Sequence, residues 1–250
     1  MTNLKRLARR IRPALAIALA LGLVAPAAAS ALNVHAASSL REVFTRIDGS
    51  PTYNFAASNT LQLQIERGAP ADVFASASPQ EAQALFRGGN CERPVTFATN
   101  KLVLLVPKGN PAKIRSVYTL RKGGLNLAVG SAGVPVGSYT RTLLRRLGLS
   151  SILRTNTVSQ EASVANVVSK VALGSADAGF AYVTDGKIAS DRVDQIRLPR
   201  YAQPPVRYQI CAVKRDGADT AGAAAFIAKV RAGRGRSLLK AAGFGLPPKS

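Results

Sequence analysis

Short apolar runs alternate with amphipathic segments along most of the chain. Apolar runs at residues 32–37, 53–57 and 72–76 predict three buried strands, each followed by a segment with helical spacing. The first of these helices is expected to begin near Ser39, because Glu42 stands three positions later, as in a capping box. Strands that alternate with helices in this way predict an α/β fold built from parallel β/α units.

The alternation restarts after Pro107, which closes a strong strand at residues 101–106. The segment that follows has its own set of strands and helices, so we predict two lobes rather than one. We expect residues 32–107 and 208–250 to form the first lobe and residues 108–207 to form the second. Further strands are predicted at residues 125–129, 178–183 and 208–213, and further helices at 139–147, 164–173, 221–230 and 237–242.

The first 31 residues are typical of a secretory signal peptide. A basic start is followed by an apolar stretch at residues 14–24 and by small residues at 29–31. A membrane-anchored segment is the alternative, but a spanning helix needs roughly 20 apolar residues and this stretch is shorter. Residues 1–31 hold five of the Lys and Arg residues and none of the acids, so their removal changes the formal charge from +21 to 21 − 5 = +16.

Composition limits the chemistry that the chain can perform. It is 47% hydrophobic and 19% charged, which suits a folded domain with a real core. One His and two Cys are too few for a four-ligand zinc site made from those residues. The excess of 34 basic over 13 acidic residues leaves an alternative function open, that of an exported basic protein binding polyanions through a Lys/Arg surface. Against it, the basic residues are scattered and no nucleic-acid-binding motif is present.

The two cysteines, Cys91 and Cys211, are a possible disulfide. Export would place them in an oxidising compartment, where two thiols of one chain often pair. The alternative is a pair of separate buried thiols that act as small hydrophobic side chains.

Hydroxyl residues stand where predicted strands end and helices begin, at residues 38–39 and 58–60. A helix start presents unpaired N–H groups and a partial positive charge, and in open α/β sheets ligands lie at the carboxyl ends of the strands. Two such starts that face one cleft would bind an anion. The alternative is that these hydroxyls are ordinary helix caps.

Several motifs add a family resemblance to this pattern. The block Gly68-Ala69-Pro70-Ala71-Asp72-Val73-Phe74 is the most specific of them, and the others are Ala36-Ala37-Ser38-Ser39-Leu40, Ala57-Ser58-Asn59-Thr60-Leu61, Val134-Pro135-Val136-Gly137-Ser138-Tyr139 and Ala176-Asp177-Ala178-Gly179-Phe180-Ala181-Tyr182. Taken in order, they resemble the periplasmic molybdate-binding proteins of ABC transporters over nearly all of the chain after residue 31.

The resemblance implies a fold and a function. It implies a two-lobed periplasmic-binding-protein-like fold, in which each lobe is a mixed, mostly parallel sheet flanked by helices. The protein is then expected to be a periplasmic monomer that captures molybdate, and tungstate as well, in the cleft between the lobes and delivers it to the membrane permease subunits of an ABC transporter. No cofactor, enzymatic activity or nucleic-acid partner is expected.

Carried over residue by residue, the ligands of the oxyanion fall on Ser39, Ser58, Val136, Val164 and Tyr182. The serines would give hydroxyl and amide hydrogens, the valines their backbone N–H groups, and the tyrosine its phenol. All are neutral donors, so they suit a fully deprotonated oxyanion and disfavour hydrogen phosphate, whose proton needs an acceptor.

An enzymatic role with Ser39 as nucleophile has less support. The one candidate base, His35, lies in an apolar run, and Asp72 and Asp177 are expected to cap or to pair with Arg rather than to react.

Overall fold

A computed structural model describes residues 31–247 of the chain. All but the last residue of the predicted signal peptide, residues 1–31, therefore lies outside the described residues. Within the described range, no helix combines the length and the apolarity that a membrane crossing requires.

Residues 31–247 form ten strands and nine α-helices. The strands are β1 (Asn33–Ala37), β2 (Thr52–Ala56), β3 (Val73–Ser76), β4 (Val95–Asn100), β5 (Leu102–Pro107), β6 (Asn126–Gly130), β7 (Thr157–Glu161), β8 (Ala178–Tyr182), β9 (Val193–Arg197) and β10 (Val206–Ala212). The helices are α1 (Arg41–Ile47), α2 (Ser58–Glu66), α3 (Pro79–Arg87), α4 (Pro135–Arg146), α5 (Ile152–Thr155), α6 (Val164–Ala172), α7 (Val183–Ile188), α8 (Thr220–Arg231) and α9 (Gly233–Ala242). Short 3-10 helices occupy Ser38–Leu40, Val117–Lys122 and Arg200–Ala202.

The strands make two five-stranded sheets with the same internal order. The first runs β2-β1-β3-β10-β4 and the second runs β7-β6-β8-β5-β9. In each sheet the first three strands are parallel, and one strand, β10 or β5, runs against both of its neighbours. The predicted fold class, two mixed α/β lobes flanked by helices, is confirmed.

The observed sheets place one segment differently from the predicted lobe boundary at residue 107. The strand β5 pairs with β8 and β9, so it lies in the second sheet, and the chain crosses between the sheets next to Lys101. The return comes before β10, which starts two residues earlier than residue 208. Five of the six residues of β5 are buried, which suits an inner strand of either sheet, so its hydrophobicity alone did not indicate which sheet it joins.

The two lobes repeat a hydrogen bond between an aspartate that precedes the central strand and the first residue of the parallel strand beside it. Asp72, just before β3, accepts from the N–H of Asn33 at 2.8 Å, and Asp177, just before β8, accepts from the N–H of Asn126 at 2.8 Å. Asp72 also forms an ion pair with Arg215, whose Nη2 lies 2.5 Å from its Oδ1. Both acids thus fix strand starts, and the expectation that they cap or pair is confirmed.

Cys91 and Cys211 lie on one face of the first sheet as buried thiols that contact each other. Contact with the Cys91 thiol and burial raise the pKa of Cys211. The pairing of these two thiols after export stays a prediction, which the mass of the unreduced intact protein would test.

Replacement of Asp72 tests the anchoring of the first sheet. Asp72→Ala would leave the buried N–H of Asn33 and the guanidinium of Arg215 without their acceptor, and the N–H of Asp219, 3.1 Å from Oδ1, would lose its partner too. We expect the free energy of unfolding in urea to fall by about 3 kcal/mol. Asp177→Ala, at a more exposed position, serves as the matched control with an expected loss of about 1 kcal/mol. Equal losses would show that the ion pair adds nothing.

Candidate functional site

A small cavity lies between the two lobes, at the carboxyl ends of their parallel strands. All five residues predicted for the site line it: Ser39, Ser58, Val136, Val164 and Tyr182. The remaining lining consists of Ala, Ser, Val and Pro, so no charged side chain is found among the described residues that line the cavity. Each lobe contributes to the wall.

Four helical segments begin at this cavity. Ser58 is the first residue of α2, Val164 is the first residue of α6, and Val136 is the second residue of α4. The first helical bonds are donated by Leu61, Val167 and Ser138, so the earlier N–H groups have no acceptor within their own helices. The fourth start is the 3-10 turn that holds Ser39. Partial positive charges from both lobes therefore meet in one space.

The start of α4 is held in place by its own sequence. Pro135 occupies the first helical position, where its missing N–H costs nothing. A Cβ at Gly137 would lie 2.1 Å from the carbonyl oxygen of Ser131 and 2.2 Å from that of Gly130, so only glycine lets the preceding loop approach so closely. Arg141 donates from Nη1 to the carbonyls of Gly130 (2.8 Å) and Gly137 (3.0 Å). These contacts fix the amide of Val136 against the cavity.

Both serine hydroxyls have a buried partner behind them. Ser58 Oγ accepts a hydrogen bond from the N–H of Ala77 at 3.0 Å, and Ser39 Oγ lies 2.9 Å from the phenol oxygen of Tyr208. Because the Ala77 N–H can only donate, the hydroxyl hydrogen of Ser58 is left for a ligand.

Tyr182 ends β8 and lines the cavity while being almost fully buried. Its hydroxyl has no hydrogen-bond partner in the part of the chain that the structure describes. Burial raises the pKa of this phenol well above its ordinary value, so it remains a neutral donor. Because buried hydroxyls normally form a hydrogen bond, this hydroxyl at the cavity wall is available to donate to a ligand.

Asp185 lies in the first turn of α7, behind Tyr182. Its Oδ2 accepts from the backbone N–H of Tyr182 at 3.0 Å, which fixes the residue that carries the phenol. Burial raises the pKa of Asp185 to about 7, although the hydrogen bond from Tyr182 acts in the opposite direction.

The expected capping box between Ser39 and Glu42 does not form. Neither cap of the turn at residues 38–40 nor that of α1 receives a side-chain hydrogen bond, and Glu42 is exposed. The physical reason is that Ser39 lies inside the helical turn, with its hydroxyl directed to Tyr208 instead of to the backbone.

The cavity holds no nucleophile with a base beside it. His35 is buried in β1 outside the lining, and burial lowers the pKa of its imidazole while Asp72 acts to raise it. Across residues 31–247, no group of three His, Cys, Asp or Glu residues could hold a metal ion. The arrangement can donate hydrogen bonds to an anion.

Four residues that shape the site were not predicted from the sequence: Ala77, Arg141, Asp185 and Tyr208. Ala77 and Tyr208 contact serines of distant segments, so their roles depend on tertiary contact. Arg141 and Asp185 bond to backbone groups close to them in the sequence, and no sequence pattern marked them. The sequence predicts that Tyr208 lies in a strand. Aromatic residues are common in strands, so this position gives no sign of a role in the site.

Comparison with known proteins identifies the family to which the chain belongs. A family described as bacterial extracellular solute-binding protein matches residues 32–245. The molybdate-binding protein ModA of Mycobacterium tuberculosis H37Rv is 39% identical over 229 residues, which cover 88% of this chain and 86% of that protein. The resemblance found in the motifs is confirmed at the level of the family.

Solved structures share the fold. The periplasmic molybdate-binding protein of Azotobacter vinelandii superposes with a TM-score of 0.76 at 24% identity, covering 86% of this chain and 99% of that one. The sulfate-binding protein SubI of Mycobacterium tuberculosis H37Rv gives a TM-score of 0.73 at 15% identity, with 87% of each chain covered. At these identities the likeness concerns the fold alone.

The raised pKa of Asp185 predicts a pH-dependent stability. Between its ordinary 3.8 and about 7 the folded protein binds a proton that the unfolded chain has released, so this group's contribution to stability falls as pH rises through that window. Asp185→Asn keeps an oxygen acceptor for Tyr182 and removes the titration. In urea unfolding without ligand, the free energy of unfolding of the variant should rise relative to that of the wild type between pH 4 and 8, by on the order of 2 kcal/mol. A constant difference across this range would contradict the assignment.

Proposed function

The chain belongs to the family of bacterial extracellular solute-binding proteins, and from this premise we propose that it captures molybdate in the cavity between its lobes. Tungstate, an oxyanion of the same shape and charge, is bound there as well. The protein then delivers the ion to the permease of an ABC transporter. It works by binding and release, with no chemical turnover.

The observation that carries this proposal is a cavity lined by neutral hydrogen-bond donors. Amide and hydroxyl hydrogens satisfy the oxygens of a tetrahedral dianion, and each such charge-assisted bond contributes roughly 1.5 to 3 kcal/mol. Hydrogen phosphate brings a proton that needs an acceptor, and one acceptor site of Ser58 is already taken by Ala77. The lining thus favours a fully deprotonated oxyanion of the molybdate class.

Contributions from both lobes support a role for closure. Ser39 and Ser58 come from the first lobe, and Val136, Val164 and Tyr182 come from the second. An ion that contacts both sets favours the closed form by its higher affinity for that form. A permease can then distinguish the loaded protein from the empty one.

The proposal also covers the cellular location of the protein and its oligomeric state. Residues 1–31 direct export and are removed, so the mature protein works in the periplasm as a monomer. Its basic surface raises the local concentration of oxyanions near the cleft. The supporting observation is the charge balance after residue 31, where 34 − 5 = 29 basic residues stand against 13 acidic ones.

Loss of the two serine hydroxyls tests the site. Ser39→Ala with Ser58→Ala removes two charge-assisted donors, so we expect the affinity for molybdate in calorimetric titration to fall by at least about 100-fold. The variant should still fold, with a lower melting temperature because the buried N–H of Ala77 loses its acceptor. The matched control carries Ser50→Ala with Ser237→Ala, two exposed serines of the same lobe whose hydrogen bonds are local.

The same titration separates the proposal from polyanion binding. Molybdate and tungstate should bind at both low and high salt, and hydrogen phosphate should bind more weakly because its proton finds no acceptor. Unaltered molybdate affinity in the double variant would show that the site lies elsewhere. Binding of DNA with a steep salt dependence and no molybdate binding would support the polyanion alternative.

A further inference from the structure

We propose that Tyr208 is a positioning residue of the oxyanion site, whose phenol donates to Ser39 Oγ and so turns the Ser39 hydroxyl hydrogen toward the bound ion. The inference rests on the proposed function, because it concerns the same cavity. Tyr208 itself is absent from the cavity lining, so it acts through Ser39.

The geometry joins the two hydroxyls within the core. Tyr208 lies on β10, fully buried, and its hydroxyl oxygen is 2.9 Å from Ser39 Oγ. Its ring packs edge-on against three aromatic rings, those of Phe97, Tyr182 and Phe244, at centroid distances between 5.3 and 6.2 Å. This packing leaves the phenol little freedom to move away from Ser39.

A count of hydrogens gives the direction of this bond in the loaded protein. A serine hydroxyl has one hydrogen, and an oxyanion can only accept. If Ser39 donates to the ion, the hydrogen between Ser39 and Tyr208 must come from Tyr208. The opposite direction would use up the Ser39 hydrogen and leave only oxygen lone pairs facing the anion, which is repulsive.

Asn100 supplies the constraint that favours the productive direction. Its Oδ1 accepts from the N–H of Lys101 at 2.9 Å and its Nδ2 donates to Thr184 Oγ1 at 2.9 Å, so the orientation of the amide is fixed. Burial raises the pKa of the Tyr208 phenol, and the side chain of Asn100 acts to lower it, as a hydrogen-bond donor near the phenol oxygen does. An Nδ2 that donates to the phenol oxygen leaves the phenol hydrogen free for Ser39.

The other serine of the site has the same arrangement. Ser58 Oγ accepts from the Ala77 N–H, a group that can only donate. Each serine is therefore approached from behind by a donor, one from the backbone and one from a tyrosine. Donation from behind also polarises a hydroxyl and strengthens the bond that it donates in turn.

Tyr208→Phe tests the inference because it keeps the ring and removes the donor. We expect molybdate affinity to fall about tenfold, and to change by less than about twofold when the same substitution is made in a Ser39→Ala protein. A merely structural role would give the same loss in both backgrounds. Tyr53→Phe is the control, since its phenol donates to the carbonyls of Phe44 and Asp48 in the same lobe, away from the cavity; its affinity should equal that of the wild type.

Asn100→Asp tests the direction of the hydrogen bond between Tyr208 and Ser39. A carboxylate only accepts, so the phenol hydrogen of Tyr208 would turn to it and Ser39 would donate to the phenol instead of to the ion. We expect a loss of affinity greater than that of Tyr208→Phe, and a smaller loss in the Ser39→Ala background, where only the repulsion from the added charge remains.

The outcomes separate this inference from the proposed function. A wild-type protein that binds no molybdate overturns the proposed function. If the wild type binds and Tyr208→Phe binds equally well, or loses as much affinity without Ser39 as with it, the role of Tyr208 is overturned. If Tyr208→Phe does not fold, Asn100→Asp decides, and equal losses with and without Ser39 would overturn the inference.

Discussion

The structure depends on backbone N–H groups that helix starts leave without acceptors and that both lobes direct into one small cavity. Such groups are costly to bury unpaired, and an anion relieves all of them at once. The requirement explains why the helices that carry Ser58, Val136 and Val164 all begin at the carboxyl ends of strands, because only there can starts from two sheets face each other. The hydroxyl of Tyr182, buried without a partner among the described residues, belongs to the same set of unmet donors.

Duplication of one lobe plan builds this space with few special residues. Both sheets have the same strand order, and in both an aspartate just before the central strand, Asp72 or Asp177, holds the start of the parallel strand beside it. Each lobe contributes helix starts at the carboxyl ends of its parallel strands to one cavity. The strands that run against the others, β5 and β10, directly follow the points where the chain crosses between sheets.

The sequence was sufficient for the inner strands and for five residues that line one cavity, whose role as ligands stays a prediction. It was not sufficient where contacts between distant segments decide the structure. The strands that it missed, β4, β7 and β9, all lie at sheet edges, where polar residues interrupt the apolar pattern. The strand β5 was recognised but assigned to the wrong sheet, because burial on both faces looks alike in either lobe. The role of Tyr208 could not be predicted, since it is separated from Ser39 by 169 positions and only the fold joins them.

In the proposed function, the positive charge after residue 31, which is 21 − 5 = +16, and the neutral cavity have separate roles. A long-range field attracts every anion and cannot distinguish among them. An arginine in the cavity would do the same at close range, because its attraction depends on charge and not on whether the ligand carries a proton. Amides and hydroxyls whose own acceptor sites are engaged from behind, as that of Ser58 is by Ala77, respond to the number of hydrogens on the ligand. To distinguish oxyanions by whether they carry a proton, the protein therefore needs a cavity wall without charged side chains, with its basic residues outside the cavity.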